Sequence, residues 1–533
     1  MNDRSAGPLR ATARTLRFGD HPDALADASV LPAVLRALDR DPPGAVLDVV
    51  PAYATVMVAW DAGHPDAARV GPWLAEIEDA ARAGGPIGEA ASDGARDGAS
   101  DGASDGASAG ARDTDRLVTI PVRYDGADLD DVAERTGLRR DRLIEMHAGA
   151  TYRVRALGFA PGFPFLSGLP DALRMPRRDR PRDRVPAHAV AIAVDQAGIY
   201  PLPSPGGWHL LGTALTAVYD PHREEPFLLR PGDRVRFEPS DGPTPEEPEP
   251  LELLPERPQL PAFEVEEAGL QDLVLDAGRF RVGRFGLSRS GPIDASAFRL
   301  ANRLLAQDPH APALETTVRG PTLRATRESV IAFTGSGVRP TLDGRPLASC
   351  TTVRVPAGAR LAFPPGPHGV RGYLAIAGGF EAARFLGSAS TDLRARIGRP
   401  LRAGDRLGVA REHAARPGFA FHPPELGAWR EGRFPLPIRI VPGPHPDDAA
   451  WEALTRATFE VQHGDRTGLR LHGPDVPGGE GTSEPTRLGG VQVPPDGRPI
   501  VLLYDRGSLG GYCTPAVVLD RDVAKLAQAR PGA

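Results

Sequence analysis

QAGIYPLPSPGGWHLLG, residues Gln196–Gly212, is the stretch on which the reading of this chain turns. Strand-forming Ile199, Leu210 and Leu211 stand among Gly198, Pro201, Pro203, Pro205, Gly206 and Gly207, so the chain leaves one short strand, turns sharply and enters another. Glycine permits φ > 0 and close approach of a second backbone or a ligand, and proline fixes φ and removes a donor. A block this restricted specifies one loop shape, and loops held by a rigid scaffold are where ligand contacts concentrate. Gln196, Tyr200, Ser204, Gly206, Gly207 and His209 are therefore candidate site residues; the alternative is a pair of structural turns in a β protein. A second block of the same kind, GGVQVPPDGRPIVLLYDRGSLGGY (Gly489–Tyr512), adds Gln492, Asp505, Arg506 and Tyr512.

Short strands and Gly/Pro turns continue outward from the first block. RLVTIPVRY, YRVRALGFA, HAVAIAVDQAGIYP and FLLRPGDRVRFEP, with helical DLDDVAERTGL and RDRLIEMHAGA between them, predict a closed β architecture over residues 116–240. Upstream, Val30, Leu31, Val34, Leu35 and Leu38 recur at helical spacing. Ala45–Asp61 reads as two strands broken at Pro51, and His64–Gly84 as a helix interrupted near Gly71-Pro72, giving a small α+β domain over 1–84. The DGA-type repeat Ser92–Asp113, inside a linker over 85–115, has too little apolar surface to offset chain entropy and is expected to be disordered. A Pro- and Glu-rich second linker, 241–261, reads as extended and semi-rigid. Beyond it, residues 262–430 carry a helix at Ala295–Leu305 with Asp294 as N-cap, followed by strands, and residues 431–533 form a further β unit.

The chain has 533 residues, a net charge of −6 and a pI near 6.1, which offers no basic face for nucleic acid and no cationic cluster for an acidic membrane. Lys525 is the sole lysine and sits in DRDVAKLAQARPGA. A P-loop, a Schiff-base enzyme and covalently bound biotin each need a lysine in a specific setting, so none is expected. The two cysteines, Cys350 and Cys513, form no metal-binding spacing, and no metal site is expected. No apolar run reaches membrane-spanning length and the N-terminus lacks a signal-type apolar region, so a cytoplasmic protein is expected.

The first block, with GFAPGFPFLSGLP (Gly158–Pro170), resembles the allophanate hydrolase subunit 1 family, which includes the 5-oxoprolinase B subunit and the Kip kinase inhibitor. The second resembles the partner family: allophanate hydrolase subunit 2, the 5-oxoprolinase C subunit and biotin-dependent carboxyltransferase-like proteins. The resemblance implies a fusion of two proteins that otherwise work as a pair, mainly β, with a small N-terminal α+β domain followed by three cyclophilin-like β-barrels. It also draws in His147, Gly162 and Phe163 from the first half. From the second it draws in Asp276, Arg279, Ser290, Asp294, Asn302 and Glu484. Leu275 and Gly507-Ser508-Leu509 depart from the family's usual residues.

On residue chemistry, His209 is the acid–base candidate, against the alternative of a packed histidine, and the resemblance implies His147 as a second. Asp505 with Arg506 reads as a carboxylate–guanidinium unit, against a structural ion pair. The resemblance implies the B plus C component of an ATP-dependent 5-oxoprolinase, using ATP with Mg²⁺ on a small-molecule substrate and working with a separate LamB/YcsF-type A subunit. Two alternatives stay open: the carboxyltransferase part of a urea carboxylase, and a Kip-like regulator of a histidine kinase. The sequence leaves self-association open.

Overall fold

The computed structural model describes residues 11–18, 31–53, 55–82, 116–421 and 435–533. The Ser92–Asp113 repeat and the linker holding it lie outside these residues. The protein is mainly β with few helices.

The N-terminal unit is a three-stranded sheet, in the order Ala11–Arg17, Thr55–Asp61, Val46–Ala52, covered by helices Leu31–Asp39 and Val70–Arg82. Leu31, Val34 and Leu38 pack on Val46, Val49, Val56, Val58, Leu74 and Ile77. Two details differ from the sequence reading. Pro51 lies within its strand, because that strand is at the sheet edge, where a missing N–H leaves no ladder bond unmade. Pro72 falls in the first turn of the second helix, whose N–H groups have no intrahelical acceptor, so the helix runs unbroken.

Seven strands between Leu117 and Pro239 close into a barrel. The strand Ala189–Ala193 shows how the barrel is used. Val190 and Ile192 face the interior with Leu166, Leu211 and Phe237. Ala189, Ala191 and Ala193 face outward, where their small side chains let Val50, Ala52 and Met57 of the N-terminal sheet settle against Phe163, Tyr200 and Trp208. A strand buried on both faces is apolar throughout instead of alternating.

In the second half, a six-stranded and a five-stranded sheet enclose Phe263, Val265, Leu323, Ile331, Phe333, Leu361, Leu374 and Ile376. The helix Ala295–Leu304 covers the outer face of the five-stranded sheet through Phe298, Ala301 and Leu304. The last unit is a seven-stranded sheet built around the long strand Leu509–Val518. Of the three closed barrels expected, one closes by a continuous ring of strand pairing among the described residues. In the last unit, Ile440–Pro442 and Glu460–Gly464 remain edges, and a cavity of about 1020 Å³ lined by Leu436, Ile440, Phe459 and Val501 opens beside them.

The segment 241–261 is extended, and it is stitched down on both sides. Arg123 Nη1 donates to Gly242 O at 2.6 Å, Arg396 Nη1 donates to Pro248 O at 2.9 Å, and Leu251 N donates to Arg396 O at 2.8 Å. Leu253 is buried with Val282, Phe385 and Ile397.

One buried acid makes stability pH-dependent. Asp272 Oδ2 accepts from Gly269 N at 2.6 Å, Oδ1 has no partner, and burial pushes the carboxyl up to about 7. The folded state holds this proton where the unfolded chain, titrating near 4, has lost it, so the contribution is full at low pH and is lost as pH rises from about 4 to 7. Asp272→Asn keeps the Gly269 contact and removes the ionisation. It should stabilise the protein by about 1–2 kcal/mol at pH 8 and have little effect at pH 4.5, read by denaturant melts at both pH values.

Candidate functional site

The two halves meet along a seam that collects many of the residues singled out from sequence. The segment from Arg279 to Ser290 crosses the N-terminal unit and then the barrel. Arg281 N donates to Leu47 O at 2.9 Å, Gly283 N to Asp48 Oδ1 at 3.1 Å, and Arg284 pairs with Asp39 at 2.6 Å. Phe285 stacks on Phe227 with ring centroids 4.7 Å apart, and its carbonyl accepts from Gly162 N at 2.8 Å. On the other side of the Gly158–Phe163 loop, Arg394 is a two-armed clasp: Nη1 donates to Asp505 O at 2.8 Å and Nη2 to Phe159 O at 3.1 Å. Leu509 joins the aromatic cluster of Phe163, Tyr200 and Trp208 and lies so close to Gly158 that a Cβ there would collide with it. Glycine is required at position 158 by this approach.

Behind the seam runs a buried charge network. Arg466 donates from Nε to Asp505 Oδ2 at 2.7 Å, from Nη2 to Gly291 O at 2.6 Å, and from Nη1 to Glu315 Oε1. Glu315 Oε2 also accepts from Tyr373 Oη at 2.7 Å and Ile293 N at 3.1 Å, and Arg371 lies 3.6 Å from Glu315. Against the cost of burial, the charges of Asp505 and Glu315 hold the Arg466 pKa above its usual value. Asp276 is similarly saturated, accepting from the Ser388 and Ser390 hydroxyls, Ala389 N and Gly278 N. Arg279 is 1% exposed and donates from Nη2 to Ser390 O, while Nε and Nη1 lack partners. Ser290 Oγ donates to Thr391 O at 2.7 Å.

The remaining sequence candidates divide into groups. Gln196 accepts from Tyr53 Oη at 2.8 Å, joining barrel to N-terminal unit, and Ser204 Oγ is buried without a partner. Ser204–Gly206 forms a two-stranded ribbon with Arg182–Val185, and Gly207 O accepts from Arg178 N. Glu484 lies 3.4 Å from His445 and 3.9 Å from Arg17 of the N-terminal unit. Gln492 is buried beside Gly510, and Tyr512 is exposed. Asp294 and Asn302 take structural roles in this geometry. Asp294 caps its helix through Ala297 N at 2.9 Å, and Asn302 Nδ2 donates to Ala311 O at 2.9 Å.

Three sequence expectations change. Asp505 pairs with Arg466, not with Arg506: in the turn after the strand Ile500–Leu502 its carboxylate meets the Arg466 guanidinium, 39 residues upstream. Arg506 reaches only the carbonyls of Leu503 and Thr486, each at 3.4 Å. His209 is fully buried: Nε2 bonds Pro176 O at 2.9 Å and Nδ1 lies 4.0 Å from Asp131. It faces away from Trp208 and the seam. His147 stacks on Phe237 at 4.7 Å and bonds Tyr124 Oη at 2.8 Å in the barrel core, where burial pushes it down to about 3. Both rings are packed side chains in this geometry: His209 takes the packed alternative, and His147 sits in the core. Sequence reasoning missed Arg466, Glu315 and Arg394. Arg466 stands inside DRTGLRLHGP (Asp465–Pro474), in the turn between the strands Glu460–Gly464 and Gly468–His472.

Two measurements check this assignment. Arg466→Met strands two buried carboxylates and should cost about 3–5 kcal/mol in denaturant melts, the scale for breaking a buried pair. His209→Ala should lower the melting temperature while leaving turnover near wild type; a large fall in turnover with unchanged stability would return this ring to the site.

The comparisons divide the chain along the same line. The carboxyltransferase domain family matches residues 6–229 as subdomains C and D, and residues 285–533 as subdomains A and B. Over 127 residues, 23% of its length, the chain is 50% identical to the 5-oxoprolinase B subunit of Escherichia coli O157:H7, a match spanning 58% of that protein. Over 275 residues, 49% of its length, it is 35% identical to the 5-oxoprolinase C subunit of Haemophilus influenzae, spanning 85% of that protein. The crystal structure of TTHA0988 is 50% identical and superposes with a TM-score of 0.86 over 98% of both chains. The chain belongs to the carboxyltransferase-domain family, as a B-type segment fused to a C-type segment.

Proposed function

We propose that this chain is the B plus C component of an ATP-dependent 5-oxoprolinase, which activates 5-oxo-L-proline for hydrolysis to L-glutamate together with a separate A-type partner. The observation that carries the reading is the Arg394 clasp. One guanidinium holds the Phe159 carbonyl of the B-type segment and the Asp505 carbonyl of the C-type segment, so motif loops from both form one surface.

The chemistry explains why ATP is needed. Resonance between ring nitrogen and carbonyl makes the lactam carbon a poor electrophile. Attack of the lactam oxygen on the γ-phosphorus forms a C–O–P linkage and breaks the bond to the bridging oxygen, which leaves with ADP. Water then adds to the activated carbon, the C–N bond breaks with a proton passing to nitrogen, and a second water releases phosphate. Phosphoryl transfer of this kind is catalysed by positioned cations around the phosphates. Seam arginines would supply part of that charge, and Mg²⁺ would arrive with the nucleotide; among the described residues no cluster of three His, Cys, Asp or Glu side chains is arranged to hold a metal ion.

The carboxyltransferase family name favours a second reading, transfer of a carboxyl group to urea from biotin on another chain. One assay separates the two. The purified chain, an A-type partner and MgATP are offered either 5-oxoproline or, with a biotin carboxylase and biotin carrier, urea plus bicarbonate, and phosphate and glutamate release are followed. Glutamate formation that needs both proteins and ATP is expected; ATP consumption dependent on urea and bicarbonate, without glutamate, would replace this reading with the second.

A further inference from the structure

Many arginines of this chain face a carboxylate. Three around Tyr504 make no ion pair within 4.0 Å among the described residues. Arg506 has only its two long contacts to the carbonyls of Leu503 and Thr486, and its Nε is buried without a partner. Arg289 donates one N–H to Ala277 O at 3.2 Å, and its Nε is likewise unpartnered. Its guanidinium lies 4.5 Å from the Phe280 ring centroid and 6.0 Å from that of Tyr504. Arg299, from the helix Ala295–Leu304, is 7% exposed and makes no hydrogen bond with any described residue.

The charges feel one another. Burial first, and then the like charge of Arg289, depresses both Arg299 and Arg506, and Arg506 is pushed down to about 10. The acids facing the group lie beyond ion-pair distance, and on Arg506 the pull of Asp48 exceeds the push of Arg289. Asp48 and Asp61 lie on the N-terminal unit, and Asp520 follows the last strand. Asp48 already accepts from Val49 N and Gly283 N, and burial raises its pKa. Three guanidinium groups gathered around Tyr504, with no carboxylate within 4.0 Å among the described residues, repel one another, and an anion bound there reverses that cost. A single carboxylate has two oxygens, enough for one guanidinium fork. A chain of phosphates offers several charges and many acceptor oxygens to three forks at once. Phe280, 39% exposed beside Arg289, adds an aromatic face at the edge of the recess.

We propose that Arg289, Arg299 and Arg506 form a polyphosphate-binding recess at the seam, taking the triphosphate of a nucleotide with Phe280 beside its base. The nucleotide part of this assignment rests on the ATP-dependent reading above; the polyphosphate part stands on the arginines alone.

The test uses the full chain and calorimetric titration with inorganic tripolyphosphate and, separately, with MgATP. Wild type should bind both, with affinity falling as salt rises. Arg299→Met, which removes no hydrogen bond among the described residues, and Arg289→Met should each weaken tripolyphosphate binding at least tenfold. Arg299→Met should also melt, without ligand, at the wild-type temperature or above it, as expected when repulsion is relieved. Phe280→Ala should weaken MgATP binding and leave tripolyphosphate binding alone. If wild type binds no tripolyphosphate, or both arginine variants bind it as wild type does, the recess is wrong. Unchanged ATP-dependent glutamate formation in both variants would overturn the recess while leaving the proposed function standing. Variant-sensitive tripolyphosphate binding without 5-oxoproline-dependent turnover would keep the recess and reject that function.

Discussion

The second half is organised around one buried guanidinium. Arg466 is fixed between Asp505, in the turn after the strand Ile500–Leu502, and Glu315 of the five-stranded sheet, and its remaining arm holds a carbonyl at Gly291. Taking these charges out of water is expensive, and the arrangement is tolerable because Asp505 takes two bonds from Arg466 while Glu315 finds further donors in Tyr373 Oη and Ile293 N. Asp505 N also donates to Arg466 O at 2.9 Å, so backbone and side chain agree on one position. Once Asp505 is placed, Arg506 through Leu509 must leave the sheet in a single direction. That direction brings Leu509 to Gly158 and the Asp505 carbonyl to Arg394.

The loops that receive this contact are held in costly conformations. Phe159 and Ser290 have φ of 65° and 56°, a left-handed region that non-glycine residues rarely adopt. Each is secured by contacts across the seam or within it. Phe159 O accepts from Arg394, and the Ser290 hydroxyl donates to Thr391 O. Strain of about 1–3 kcal/mol per residue persists only where surrounding contacts over-determine it, and such residues gather at functional sites.

Local features were the legible ones. The N-terminal helix follows from Leu31, Val34 and Leu38, and the Asp294 cap from its place before an apolar face, because both depend on neighbours a few residues away. The two Gly/Pro blocks were legible as fixed loops for the same reason. Pairings across distance were not. Asp505 meets Arg466 39 residues upstream, and adjacency in sequence favoured Arg506 instead. The two histidines were misplaced because composition gives a ring its chemistry but not the side of the strand on which it lies; Trp208 faces the seam and His209 the opposite side.

The extended segment between the halves is fastened at Arg123 on one side and Arg396 on the other, with Leu253 sunk into the second half. A joint anchored this way is unsuited to act as a hinge. Proteins assembled from separate chains come apart when diluted below their dissociation constant, and each encounter must then be repeated. Here the meeting of the two segments is unimolecular. Its equilibrium is insensitive to cellular abundance, and their ratio is set at one to one by translation.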